Sequence, residues 1–340
     1  MNSRALGIDI GTTFIKAVVV TSAGEVISRR QEQTTDWKQQ SATLVQQFER
    51  EFGPIPAIGV CGPGIRSPDG RYISWMIGSM ADLANFDFTT HLKRVRASSP
   101  SPSTLGEGWG GGRVAQNPAP LKLQAEPPPY PSPGVPGEGK EEVRVPVLND
   151  ALAALLAESW IGTATGIKDA VLLTLGTGIG GAIMSDGRLI RGHTGRAGHV
   201  GHITVDAFGP LDICNTPGSI ENAIGNHTIV SRSGGRFSST EELVAAYESG
   251  DAQARDIWLG SIRKLAATIA SIINIVDPQR IILGGGMIRA GESLFAPLRA
   301  ELDRVEWRPF GTGVEIVPAE LGEWAGAIGS AYNALQANEP

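Results

Sequence analysis

Two distant stretches of this chain are written on one template, and that repetition limits its fold more than any other feature. The first runs Gly7-Ile-Asp9-Ile-Gly11-Thr12-Thr13, continues as an apolar strand, and turns at Ser22-Ala-Gly24 into Glu25-Val-Ile27. The second runs Leu173-Thr-Leu-Gly176-Thr177-Gly178, continues as an apolar strand, and turns at Ser185-Asp-Gly187 into Arg188-Leu-Ile190. Each reads strand, small-residue turn, strand, tight turn, strand, and Asp186-Gly187 is a strong hairpin signal by itself. A duplicated hairpin unit with glycine at both tips predicts two related α/β domains facing each other.

The chain's 340 residues suit about two domains at ~150 residues each. A net charge of −6 argues against a polyanion-binding surface, so no nucleic-acid partner is expected. With 41% hydrophobic residues the chain can bury real cores, which excludes wholesale disorder. No uninterrupted apolar run approaches the ~18 residues of a membrane span, and Met1-Asn-Ser-Arg4 leads straight into an apolar strand, so no signal peptide is expected. The expectation is a cytoplasmic protein without a membrane partner. Two cysteines, Cys61 and Cys214, are too few for a disulfide framework or a four-cysteine zinc site.

One segment stands apart. Residues 98–140 hold ten of the chain's 22 prolines and show neither helical nor strand periodicity. Such a composition cannot offset its ordering entropy by burial, so this is expected to be a disordered insertion. Around it the pattern predicts a helix over about 39–52, a strand over 57–61, another over 143–148 and an alanine-rich helix over 151–160. Further on come a strand over 171–175, a long helix near 251–276 and a last helix over about 324–335. The expected organisation is a small domain over 1–148, a large one over 149–322, and a C-terminal helix within 323–340 returning to the small domain.

The glycine turns suit phosphate. Gly176-Thr-Gly-Ile-Gly-Gly181 matches G-x-G-x-x-G, but a dinucleotide fingerprint requires a helix to begin inside the glycines, and here a strand and a hairpin turn follow. Two matching loops, each able to offer backbone N–H groups to phosphate oxygens, point away from glycines that serve turn geometry alone. Asp9 lies in an otherwise apolar strand just before the first turn. A carboxylate there is costly unless paired, which suits a magnesium-water ligand or a cap on the turn. Asn149-Asp150 opens a helix directly after a buried strand. Either residue serves as an N-cap, and Asp150 equally suits a general base in a cleft between domains.

Together these residues resemble the sugar kinases of the repressor–ORF–kinase (ROK) family. Asp9-Ile-Gly-Thr-Thr13 looks like the family's first phosphate motif, and Leu148-Asn149-Asp150-Ala151 like its E-N-D-A segment. Leu175-Gly-Thr-Gly-Ile-Gly-Gly181 looks like its second phosphate motif, and Ala197-Gly-His-Val-Gly-His202 is similar to its A-G-E-x-G-H. Ile281-Ile-Leu-Gly284-Gly285-Gly286 resembles the glycines near adenosine. The resemblance covers nearly the whole chain apart from 98–140. It implies an actin/hexokinase-like ATPase fold of two ribonuclease H-like domains, with the active site in the cleft between them.

The implied activity is ATP-dependent phosphorylation of a sugar hydroxyl, most naturally the 6-OH of a hexose such as glucose or of an N-acetylhexosamine. By the same resemblance Asp150 is the base and Asp9 holds magnesium through water. Gly11, Thr12, Thr13, Lys16, Gly176, Thr177, Gly178 and Gly284–Gly286 bind ATP, while Asn149, Asp150, His199, His202 and Glu221 bind the sugar. A homodimer is implied as well. The larger FGGY carbohydrate kinases share Asp-Ile-Gly-Thr-Thr, but the second half fits ROK better. A strand starting near Ala5 is expected to leave no room for the helix-turn-helix of the family's repressors.

The departures are specific. His199 stands where the family has a glutamate that binds sugar hydroxyls, and 74–88 lacks the family's P-N-L segment. Of the zinc segment C-x-C-G-x-x-G-C-x-E and its upstream histidine, only Cys214 and His202 remain as ligands. Asp212 and Ser219 replace two cysteines, so zinc is expected to be absent. These losses keep a second reading open, a non-catalytic or weakly active sugar- or nucleotide-binding protein of the same fold.

Overall fold

The computed structural model describes residues 3–98 and 145–337. All but the first residue of the expected disordered insertion therefore lies outside the described residues. The strands among them are β1 (Arg4–Ile10), β2 (Phe14–Thr21), β3 (Val26–Gln33), β4 (Ala57–Gly62), β5 (Ile65–Arg66) and β6 (Ile73–Trp75), then β7 (Val147–Asn149), β8 (Ala170–Leu175), β9 (Ile179–Ser185), β10 (Arg188–Leu189), β11 (Arg280–Gly284) and β12 (Glu315–Pro318). The α-helices are α1 (Trp37–Phe52), α2 (Phe88–Ser98), α3 (Asp150–Ile161), α4 (Ile220–Ile224), α5 (Ile229–Arg232), α6 (Thr240–Glu248), α7 (Ala252–Val276), α8 (Glu292–Val305) and α9 (Ala325–Ala337).

The sequence repeat becomes a repeat of topology. One sheet runs β3-β2-β1-β4-β7 and the other β10-β9-β8-β11-β12. In both, the glycine-turn hairpin is antiparallel and the next two strands add in parallel. Strand alternation then divides the apolar side chains among three cores. On β1, Leu6, Ile8 and Ile10 join α1 beneath the first sheet. On β8, Val171, Leu173 and Leu175 join α7 and α8 beneath the second. The opposite faces, with Ala5, Val18, Ala170 and Leu172, enclose a middle layer built from α3 and α9.

The middle layer depends on small residues. A Cβ on Gly7 would overlap the carbonyl oxygen of Ala327, and one on Gly59 that of Ser330. Thus α9 lies directly against the backbones of β1 and β4, as a glycine in a strand permits. Asp9 shares the face of β1 that carries Gly7, so it emerges at the end of this packed layer, beside the first turn of α9. The long helix α7 is apolar and long enough to cross a membrane by composition. Here its stripe of Leu265, Ile269, Ile272 and Ile273 is buried in the second core, as helical periodicity predicts.

One charge is sealed inside. Glu158 of α3 is 0% exposed. Its carboxylate accepts N–H bonds from Thr163 at 2.9 Å, Glu320 at 3.0 Å and Leu321 at 2.9 Å. It thereby ties the end of α3 to the segment that leads into α9. Glu158→Ala leaves three donors without acceptors, and each buried one costs about 1–3 kcal/mol. The expected result is a loss of about 3 kcal/mol or more of unfolding free energy, read from a denaturant midpoint.

Candidate active site

Asp9 ends β1, and Gly11, Thr12 and Thr13 form the turn into β2. The Gly11 N–H closes that turn on the Phe14 carbonyl at 3.0 Å. Gly11 is thus a turn residue whose N–H is used within the turn. Thr12 and Thr13 stand exposed. In the second turn Gly176 N–H likewise bonds the Gly178 carbonyl at 3.0 Å, leaving Thr177 exposed at the tip. A Cβ on Gly285, whose φ is +84°, would overlap the Leu175 carbonyl. The Gly284–Gly286 run, leaving the buried end of β11, therefore lies beside the second turn.

The second turn is fastened from behind. Glu221, at the start of α4, accepts the Ile179 N–H at 2.8 Å through Oε2. Asn226 N–H and His227 N–H bond the Gly176 and Thr177 carbonyls, both at 3.1 Å. The His227 ring adds a 2.8 Å bond from Nδ1 to the Thr177 carbonyl. His227 gave no signal in the sequence, because its partner lies fifty positions away. Glu221 was expected to hold sugar; one of its oxygens is instead committed to the turn.

Asn149 and Asp150 divide the two roles that the sequence left open. Asn149 is the N-cap of α3, its Oδ1 accepting from Ala151 N at 3.0 Å and Leu152 N at 3.4 Å. Its Nδ2 donates to the Gly64 carbonyl at 3.0 Å. Asp150 is left as the first helical residue with its side chain exposed, Oδ1 accepting the Ala151 N–H at 2.8 Å. Protein nevertheless crowds round this carboxyl, so desolvation raises its pKa, against the pull of the Ala151 N–H and of His199.

Asp9 stands close enough to Asp150 to feel its charge. Burial, then repulsion by Asp150, lifts Asp9 from 3.8 to about 6, against Lys16 and a hydrogen bond from Cys61. The Cys61 thiol donates to Asp9 Oδ1 at 3.4 Å. Lys16 is the cross-strand neighbour of Asp9, but its ammonium is shared with Glu323, at 3.2 Å from Oε2 and 3.1 Å from the carbonyl. Two neighbouring carboxylates, one of which raises the pKa of the other, form a donor set suited to a hard divalent cation.

His199 reaches the same place from the turn before the short 3-10 segment Val200–His202. Burial lowers its pKa while Asp150 opposes that shift, and its ring bonds the backbone of Gly195. Burial therefore favours the neutral ring. His202 lies one step behind. Its Nδ1 is 2.8 Å from Asp212 Oδ2, and its Nε2 is 3.5 Å from Cys214 Sγ.

The trio of His202, Asp212 and Cys214 brings three metal-capable atoms within 4.8 Å of one another. The arrangement is a hydrogen-bonded clasp. Two ligands of one tetrahedral zinc at ~2 Å would stand roughly 3.3 Å apart, whereas the His202–Asp212 pair is at hydrogen-bond distance. Asp212 Oδ1 is further engaged by Cys214 N and Thr216 N, both at 2.8 Å. Ser219, in the place of a cysteine, caps α4 by accepting from Asn222 N at 3.3 Å. Among the described residues the set offers three candidate ligands, one fewer than a structural zinc site takes.

The ROK family model matches residues 5–97 and 138–337. A glucokinase of Halalkalibacterium halodurans is 26% identical over 96% of this chain and 93% of its own length. An N-acetylmannosamine kinase of Escherichia fergusonii is 32% identical over 54% of this chain and 62% of its own. The crystal structure of a ROK hexokinase from Thermus thermophilus superposes with a TM-score of 0.75 at 25% identity, covering 98% of each chain. The paired sheets are thus those of the actin/hexokinase-like ATPase fold that the family resemblance implies. With its family model matched on both sides of the Pro/Gly-rich segment, this chain belongs to the ROK family.

Proposed function

We propose that this protein is a carbohydrate kinase that transfers the γ-phosphoryl group of ATP to a sugar hydroxyl, the 6-OH of a hexose or N-acetylhexosamine. The observation that carries the reading is the Asp150 carboxylate. It is exposed at the start of α3, released from capping by Asn149, and raised in pKa at the point where Asp9 and His199 converge. The kinase names of the relatives at 26% and 32% identity support the same class of activity.

In this reading Asp150 accepts the hydroxyl proton as the sugar oxygen attacks the γ-phosphorus, and the bond to the ADP oxygen breaks. A raised pKa brings the base closer to the operating pH, where general-base catalysis is most effective. Asp9 would hold magnesium through water, and the ion would supply charge neutralisation on the phosphates. Thr12 and Thr13 in one turn, and Thr177 and Gly178 in the other, supply the phosphate contacts. Glu221 and His227 keep the second turn in its shape, and Gly284–Gly286 border the nucleoside. Lys16, tied to Glu323, positions Asp9 from the side.

His199 lines the sugar side, backed by Asn149 and His202, whose polar atoms are taken by the α3 cap and the clasp. A neutral histidine donates one hydrogen bond and accepts one, where a carboxylate only accepts. His199 therefore reads a different hydroxyl pattern from the family's glutamate. No structural zinc is needed, because the His202–Asp212–Cys214 clasp holds the loop by itself. Metal analysis of purified protein is expected to find well under one zinc per chain, and chelation to leave the melting temperature unchanged. A stoichiometric zinc would refute the clasp.

The function itself is tested by ADP release from Mg-ATP across hexoses, N-acetylhexosamines and pentoses. Sugar-dependent turnover is the expected result. ATP binding with no sugar-stimulated turnover would make the protein a non-catalytic binder of this fold.

A further inference from the structure

Beside the sugar-side residues lies a small cavity of about 100 Å³ whose lining includes Arg66, Ser67, Leu152, Arg191 and Gly195. Arg66, in β5, is only 7% exposed. Its Nε donates to the Val147 carbonyl at 2.8 Å, immediately upstream of Asn149 and Asp150. Its Nη atoms have no acceptor at hydrogen-bond distance among the described residues, and neither Arg66 nor Arg191 makes an ion pair there. The acid that comes nearest, Asp69, is taken by its own turn, accepting from Ser67 Oγ at 2.7 Å and Arg71 N at 3.2 Å.

The guanidinium therefore faces a second cation where a carboxylate would be expected. Burial first, and then Arg191, lower the Arg66 pKa to about 10, with Asp69 opposing. It remains charged at pH 7. Neither guanidinium has a carboxylate partner among the described residues and each is a like charge to the other, so ion pairing within the chain does not account for the pair. The wall is also built to close tolerance. Gly195 has a φ of +83°, and a Cβ there would overlap the Arg66 carbonyl, so the loop is pinned onto β5. That same Gly195 holds the His199 ring. Gly195 thus touches both this cavity and the His199 ring of the candidate sugar site.

We propose that Arg66 and Arg191 form a binding site for an oxyanion, a carboxylate or phosphate group, beside the sugar pocket. Two guanidinium forks on one cavity match the planar or tetrahedral oxygens of such a group and recognise them with charge-assisted bonds. The anion is either a substituent of the sugar substrate, a conclusion that rests on the kinase reading, or a separate small anion bound alongside it. The site itself needs no turnover to be detected.

The test is calorimetric titration of the full chain with inorganic phosphate, comparing wild type with Arg66→Met and Arg191→Met after circular dichroism confirms folding. Arg191 is exposed, so its variant remains informative if the Arg66 variant does not fold. The expected result is saturable binding that weakens by about tenfold or more in Arg191→Met, as loss of a charge-assisted contact implies. Phosphate binding that is absent from wild type, or unchanged in Arg191→Met, overturns the site. Two kinetic arms then separate the sources of the anion. If it belongs to the sugar, KM for a hexuronic acid or hexose phosphate rises in Arg191→Met while KM for a neutral hexose stays constant. If it is a separate anion, phosphate shifts KM for the neutral hexose in wild type but not in the variant.

Discussion

Replacing Asp150 by asparagine is expected to lower kcat by about 10²–10⁴-fold while leaving KM for ATP nearly unchanged, in the range a positioned general base contributes. The fold should survive, because the bond the carboxylate makes, from the Ala151 N–H at 2.8 Å, is equally available to an amide oxygen. Helix capping is the duty of Asn149, so α3 keeps its start. The pH profile adds a second readout. The Asp150 carboxyl titrates above the usual carboxylate range, so the acid limb of wild-type kcat is displaced upward, and this limb should vanish in the variant. Sugar-dependent ADP release at several pH values measures both. A variant with unchanged kcat would remove Asp150 as the base.

The second large effect is expected at Asp9, where stability and activity should move in opposite directions. Its pKa is raised from 3.8 to about 6 by burial and by Asp150. A carboxyl whose folded pKa exceeds its unfolded value costs stability once it ionises. That cost is absent below pH 3.8, grows through the window up to about pH 6, and is fully present above it. A shift of this size corresponds to about 3 kcal/mol. Asp9→Asn removes the charge and retains an oxygen for the Cys61 thiol, so the ligand-free protein should melt several degrees higher at pH 8. The gain should disappear toward pH 4. Sugar phosphorylation should meanwhile fall at least ~10²-fold, since the cation loses its anchor. Calorimetry at two pH values, beside the activity assay, tests the pair of effects. A variant destabilised at pH 8 would show that Asp9 is structurally satisfied without a cation.

Much of the fold was legible because its signals are local. The paired hairpins, the alanine-rich helix and the long amphipathic helix each follow from spacing within a few residues, and their ends fell within about three positions of the observed ones. Where the reading stopped short, the reason was distance along the chain. Glu221 stands opposite Ile179, and His227 opposite Thr177, through contacts that no spacing rule describes. Cys61 gave no reason to be noticed until β4 was set beside β1, with Cys61 opposite Asp9 in register.

The sequence by itself determined that two copies of one hairpin unit build two like sheets, and that Asp9 and Asp150 emerge at the ends of apolar strands. Turn chemistry and strand alternation act over short range, so they are written in order along the chain. Only the tertiary structure decided that Asn149 takes the cap and frees Asp150, that Asp212 pairs with His202 in a clasp, and that Arg66 meets Arg191 across a cavity. Those outcomes depend on which side chains are brought within a few ångströms from separate elements. Burial, hydrogen bonding and charge then act through space, and no local rule carries that information.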